Sequence, residues 1–133
     1  MRFLVYGAVH PEGQEALVKH DHVCHALLEL SGDLAAAGGE EAAEKPAVLL
    51  PLLEKKQWNL VTTETELVRA VYEEKVVFKG VIVLILDDPA VLHDQGAAIE
   101  RLFERYKRLT PGRLYTVTPS RVKIRQLPGG HEG

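Results

Sequence analysis

The chemistry this sequence could do is carried first by four carboxylates, Glu64, Glu66, Asp87 and Asp88. Glu64 and Glu66 come just after the apolar run from Trp58 to Thr62. Asp87 and Asp88 directly follow the run from Gly80 to Leu86. If these runs are parallel strands of one sheet, the four acids share one rim. Converging there, they would hold Mg²⁺ or Mn²⁺, which prefer oxygen ligands. Such an ion would orient a phosphodiester and activate a water for attack. The same residues have a plainer use. Thr63 to Glu66 has the spacing of a capping box, with Thr63 as cap and Glu66 reaching back, and glutamate suits a first helical turn without any ligand. Asp87-Asp88-Pro89 is also a good turn and helix-start sequence. On spacing alone the plainer use carries more weight.

Histidines are a second set. His20 and His22 stand two apart in an extended segment and could share one face toward a transition metal. No third ligand follows at a fixed spacing from these or from His25. His10 falls just after the first apolar run. Other chemistries are set aside. There is no Gly-rich phosphate loop. Only two serines occur, Ser31 and Ser120, both in turns, which argues against a Ser–His–Asp hydrolase. Cys24 sits within an extended segment rather than at a helix start, a poor place for a nucleophile.

The elements that must position these groups follow from the apolar pattern. Val81 to Leu86 is apolar on both alternations, short, β-branched and bounded by Gly80 and Pro89. It reads as a strand covered on both faces, as in parallel sheets. Weaker strands run from Arg2 to Tyr6 and Trp58 to Thr62, with a short one around Val23. The expected architecture is therefore a three-layer α/β/α sandwich with a mainly parallel central sheet. Sites in such sheets lie beyond the carboxyl ends of the strands, so Tyr6, His10, Thr62 and Thr63 are read as rim residues facing a substrate.

Between the strands, Pro11 opens a helix to about Lys19, since proline suits the first helical position. Residues 31–45 read as a small-residue, acidic, mobile loop, with a chance of a helical turn in its second half. Pro46 to Lys56 is apolar at helical spacing, with Pro51 either kinking the helix or starting it. A helix follows Thr63 and ends near Glu74. Ala97 to Leu109 gives the clearest helix, burying Ile99, Leu102, Phe103, Tyr106 and Leu109 and exposing Arg101, Arg105 and Arg108. Leu114 to Thr118 and Arg121 to Leu127 read as an edge hairpin. Its second strand turns Val122 and Ile124 one way and Arg121, Lys123 and Arg125 the other. The reading is one domain over residues 1–128 with a frayed tail to residue 133.

Charge is unevenly spread. Residues 1–100 hold eight Lys/Arg against 17 Asp/Glu, whereas residues 101–133 hold eight against two. The basic C-terminal part could meet an anion such as RNA, or pair with the acidic remainder, and surface charge runs more often do the second. A single cysteine fits a reducing compartment. The first apolar run is too short for a signal peptide, and none could span a bilayer. The expectation is a cytoplasmic protein with no membrane contact.

The order of segments has a further implication. Phe3 to Tyr6 opens the chain, His20-Asp21 precedes a strand, and Leu60-Val-Thr-Thr-Glu-Thr-Glu-Leu67 follows a helix. Gly80 to Leu86 comes next, and Pro119-Ser-Arg-Val-Lys-Ile-Arg-Gln-Leu-Pro128 closes the series. Over nearly its whole length the chain resembles the small bacterial PIN-like family, relatives of toxin-type PIN ribonucleases. The resemblance implies the same sandwich fold and an Mg²⁺- or Mn²⁺-dependent ribonuclease, the toxin of a toxin–antitoxin pair. The acidic pattern departs from the family's. Its first-strand Asp-Glu is Tyr6-Gly7 here, a second aspartate falls near Pro46 with Glu44 close by, and two aspartates after the third strand become Glu64 and Glu66. Asp87 or Asp88 could compensate. The resulting expectation is a degraded metal site, and RNA or partner binding rather than strong catalysis, with Arg101, Arg105, Arg108, Arg121, Lys123 and Arg125 as candidate phosphate contacts. An active ribonuclease is the alternative. A third reading is a non-catalytic homodimer with a structural or regulatory role. An antitoxin-like protein is the partner the resemblance implies.

Overall fold

The computed structural model describes residues 1–86 and 95–129. Val81, Ile82, Val83 and Ile85 are all buried, which is why this run has no polar alternation. β4 (Ile82–Ile85) is its strand. It lies inside a six-stranded sheet with β1 (Arg2–Tyr6), β2 (Val23–Ala26), β3 (Asn59–Thr62), β5 (Arg113–Thr118) and β6 (Arg121–Gln126), in the order β2-β1-β3-β4-β5-β6. Every pairing is parallel except β5 with β6, the antiparallel edge hairpin.

Register sorts the core into two layers. Leu4, Leu60, Ile82 and Leu114 pair in a row across four strands. They pack with Leu34 of α2 (Ser31–Ala36), Leu49, Leu50 and Leu53 of α3 (Pro46–Lys56), and Leu67, Val68 and Val71 of α4 (Thr65–Glu73). The next row, Val5, Val61, Val83 and Tyr115, faces the other way. It meets Ala16 and Leu17 of α1 (Pro11–Lys19) and Ile99, Leu102 and Phe103 of α5 (Gln95–Arg105). Helices thus cover both faces, and the three-layer architecture follows from strands that are apolar on both alternations.

One connection runs against the others. The chain steps outward from β1 to β2 over the α1 face, then from β2 to β3 and from β3 to β4 over the opposite face, keeping one hand. β4 to β5 steps in the same direction as β3 to β4, but its helix α5 lies on the α1 face. This crossover therefore has the opposite hand to the other three, where a shared right hand is the general rule. It sets α5 against α1. A Cβ on Gly96 would stand 3.1 Å from the Glu12 carbonyl oxygen, so the two helix starts touch at backbone distance. Among the described residues it also leaves the α4 side of β5 and β6 with no helix beyond α4.

Four local expectations are refined. Residues 31–45 are not one loop: their first half holds α2, and the helical turn expected in the second half is a 3₁₀ turn over Glu40–Glu44, because Leu34, Ala42 and Ala43 have core to bury against. α3 does not start at Pro51 but begins at Pro46 and carries Pro51 inside it, the other of the two expected placements, with the lost N–H on an exposed position. α5 ends at Arg105 rather than Leu109, so Arg108 lies beyond the helix. The capping box at Thr63 does not form: α4 starts at Thr65 with Glu64 at its cap and no side-chain cap bond. No helix among the described residues is long and apolar enough to cross a membrane.

Candidate functional site

The sheet order reverses between β1 and β3: the chain leaves β1 for β2 on one side, and β3 lies on the other. In open α/β sheets a crevice forms at such a point, beyond the carboxyl ends of the strands. Here a cleft of 340 Å³ is lined by Tyr6, Glu44, Glu64, Glu66 and Leu67.

Two threonines shape it. Thr62 ends β3 in register with Tyr6 and is fully buried. Its Oγ1 accepts the Glu64 N–H at 3.0 Å. Thr63 Oγ1 accepts the Ala8 N–H at 3.0 Å, tying the turn after β1 to the turn after β3. That commitment is why Thr63 does not cap α4. Gly7 has φ +88°, a left-handed turn that glycine adopts without strain. The turn is fixed from the other side by Gln95, the first residue of α5, which is 2 % exposed. Its Nε2 donates to the Ala8 carbonyl at 2.9 Å, and its Oε1 accepts the His10 N–H. Sequence reasoning missed Gln95 because nothing in its local pattern separates it from a surface glutamine before a helix.

Electrostatics centre on Tyr6. Partial burial pushes its phenol above the usual range, and the nearby Glu44 and Glu64 carboxylates push the same way. The tyrosine stays protonated at neutral pH. Glu66, also in the cleft lining, is largely exposed and pairs with Arg69 at 3.3 Å. Among the described residues no group of three His, Cys, Asp or Glu side chains is arranged to hold a metal ion. Tyr6, Glu64, Glu66, Thr62 and Thr63 do gather at one rim, and Glu44 joins them. Asp87 and Asp88 lie outside the described residues.

The histidines are engaged elsewhere. His10 is the cap residue of α1, with Nδ1 3.5 Å from Glu12. His20 pairs with Glu100 at 2.5 Å. His20 and His22 each lie 4.8 Å from the Phe103 ring. His25 stacks on Trp58 at 3.9 Å and bonds to Glu29. Burial of Cys24 raises its thiol pKa, as expected for an unreactive cysteine.

The cations separate into two sets on opposite faces of the sheet. Arg101 and Arg105 belong to α5, where Arg101 pairs with Glu104 at 3.5 Å. Arg121, Lys123 and Arg125 pair in register with Thr118, Thr116 and Leu114, which places them on the α4 side. There the Arg125 Cζ sits 3.8 Å over the Tyr72 ring, and the Tyr72 hydroxyl donates to the Gln126 carbonyl at 2.8 Å. No known protein family, curated protein or solved structure matches this chain.

Proposed function

We propose that this chain is a PIN-like domain that binds RNA and does not cut it through a metal in the cleft. The carrying observation is Tyr6 at the middle of the rim, where the resemblance expects a carboxylate. A protonated phenol beside Glu44 and Glu64 gives a hard divalent ion neither a third charge nor a strong oxygen ligand. Glu66, the remaining acid of the cleft, is directed to Arg69. The reading is further supported by the parallel sheet with its cleft at the order reversal, and by an exposed basic strand at the edge. Cations on a strand edge supply sequence-independent affinity for phosphates.

The test is anisotropy of a labelled RNA, titrated with salt, followed by incubation of the complex with Mn²⁺. Affinity that falls steeply with salt, with the RNA recovered intact, is expected. A second reading, an active Mg²⁺- or Mn²⁺-dependent ribonuclease, is favoured by the convergence of Glu44, Glu64 and Glu66 on one cleft. Cleavage in Mn²⁺ that disappears in the Glu64→Gln, Glu66→Gln double variant would establish it instead. No RNA binding at low salt would sink both.

A further inference from the structure

We propose that the open strip of sheet between α4 and the β6 edge is a seat for single-stranded RNA, with the Tyr72–Arg125 stack as a platform for one base. This rests on the RNA-binding reading above and gives it a place and a class of ligand. Among the described residues no helix covers the strip, because α5 crosses on the other face. A groove of 520 Å³ has Leu84, Leu114 and Thr116 in its lining, between Tyr72 on α4 and Lys123 and Arg125 on β6. A second hollow of 290 Å³ shares Thr116 and Lys123 with it and runs on to Arg121 and Leu86, at the rim where β4 ends. The two form one track from the carboxyl rim down the side of the sheet.

Its charge suits a polyanion. Of the described charged residues lining the larger groove, Arg69, Lys123 and Arg125 are cationic and Glu73 is acidic. Arg121 and Lys123 are exposed and pair with no described carboxylate. Alternate residues of a strand stand about 6.8 Å apart on one face, a spacing like that of successive phosphates in an extended single strand. Arg125 adds a flat surface. Its guanidinium lies over a ring that is itself pinned by a hydrogen bond to Gln126. Unpaired bases stack on such planes, whereas bases inside a duplex cannot reach them.

Other occupants fit less well. An acidic peptide would use the charges but has nothing to lay against the guanidinium. A second copy pairing edge to edge, in the register centred on Lys123, would set Lys123 against Lys123 and Arg121 against Arg125. Like charges directly opposite oppose such pairing, and basic edges are a known guard against it.

The experiment measures RNA affinity of the whole chain and of three variants by anisotropy, with a labelled oligouridylate as probe. Far-UV circular dichroism matching the parent checks that each variant is folded. Arg121→Gln with Lys123→Gln should weaken binding and flatten the salt dependence by about one phosphate contact per charge removed. Arg125→Lys keeps the charge but loses the plane, and should weaken single-strand binding on the order of fivefold to tenfold. Arg105→Gln, on the far face, should leave affinity unchanged. Shifts of the Tyr72 ring resonances on adding the oligonucleotide give a second readout that needs no variant. If RNA binds but the β6 variants match the parent and Arg105→Gln does not, the seat is overturned while RNA binding stands. Duplex RNA or polyglutamate binding as tightly as the oligouridylate would also overturn it. If no RNA binds at low salt, both proposals fall together.

Discussion

Glu64 folds its side chain over Gly7: a Cβ on that glycine would stand 2.8 Å from Glu64 Cγ and 3.1 Å from Thr63 Oγ1. The turn after β1 and the turn after β3 therefore close on each other, and the missing side chain of one residue makes room for the acid of the other. Gly7→Ala meets two costs. Its φ of +88° disfavours any Cβ, and Glu64 must swing out. The expected loss is about 1–2 kcal/mol, read from the urea midpoint at an unchanged slope. A variant as stable as the parent would show that this contact places nothing.

Tyr6→Asp puts a carboxylate near Glu44 and Glu64 at the rim. With Glu66, four acids would then line one cleft, a donor set that suits Mg²⁺ or Mn²⁺. Mn²⁺ titrated into this variant by calorimetry should give saturable heat that the parent lacks and that Glu64→Gln removes again. A parent that binds Mn²⁺ as tightly as the variant would mean that the phenol is no obstacle.

What could be read from the residues divides by range. β1, β3, β4 and the parallel sheet were legible because each strand is written in a short run of apolar residues, and the basic face of β6 because Arg121, Lys123 and Arg125 alternate with apolar residues. Tyr6, Glu64 and Glu66 could be placed on one rim for the same reason. The failed cap at Thr63 was not legible, since its hydroxyl is taken by Ala8, 55 positions away in sequence. Gln95 was hidden likewise: its partners Ala8 and His10 are more than 80 positions off. The face on which α5 packs also has no local signature. It decides that α5 covers α1 and that the basic strip on β6 stays open.

Gln95 should be costly to replace for that reason. Gln95→Leu keeps the approximate volume but leaves the Ala8 carbonyl and the His10 N–H facing an apolar group. Both are part-buried, and unsatisfied polar groups cost about 1–3 kcal/mol. Denaturation should show that loss, and amide exchange at His10 should quicken more than exchange in β4. Equal changes at both amides would mean general destabilisation rather than release of the turn.

The phenol of Tyr6 also fixes a sign for alkaline behaviour. Its folded pKa is raised, first by burial and then by Glu44 and Glu64, while the unfolded chain keeps a value of about 10. The folded state thus holds the proton more tightly. The stability this gives is fully present below pH ~10 and is lost as pH rises through the folded value, because the unfolded chain ionises first. Lysines lose charge over the same range, so the parent alone is not diagnostic. Comparing melting temperatures of the parent and Tyr6→Phe between mildly and strongly alkaline pH isolates the residue. The parent should fall further than the variant, and ultraviolet titration should show one phenol fewer ionising late. Parallel curves would mean that Tyr6 is solvated like a surface tyrosine, and the case against a metal in the cleft would lose its electrostatic support.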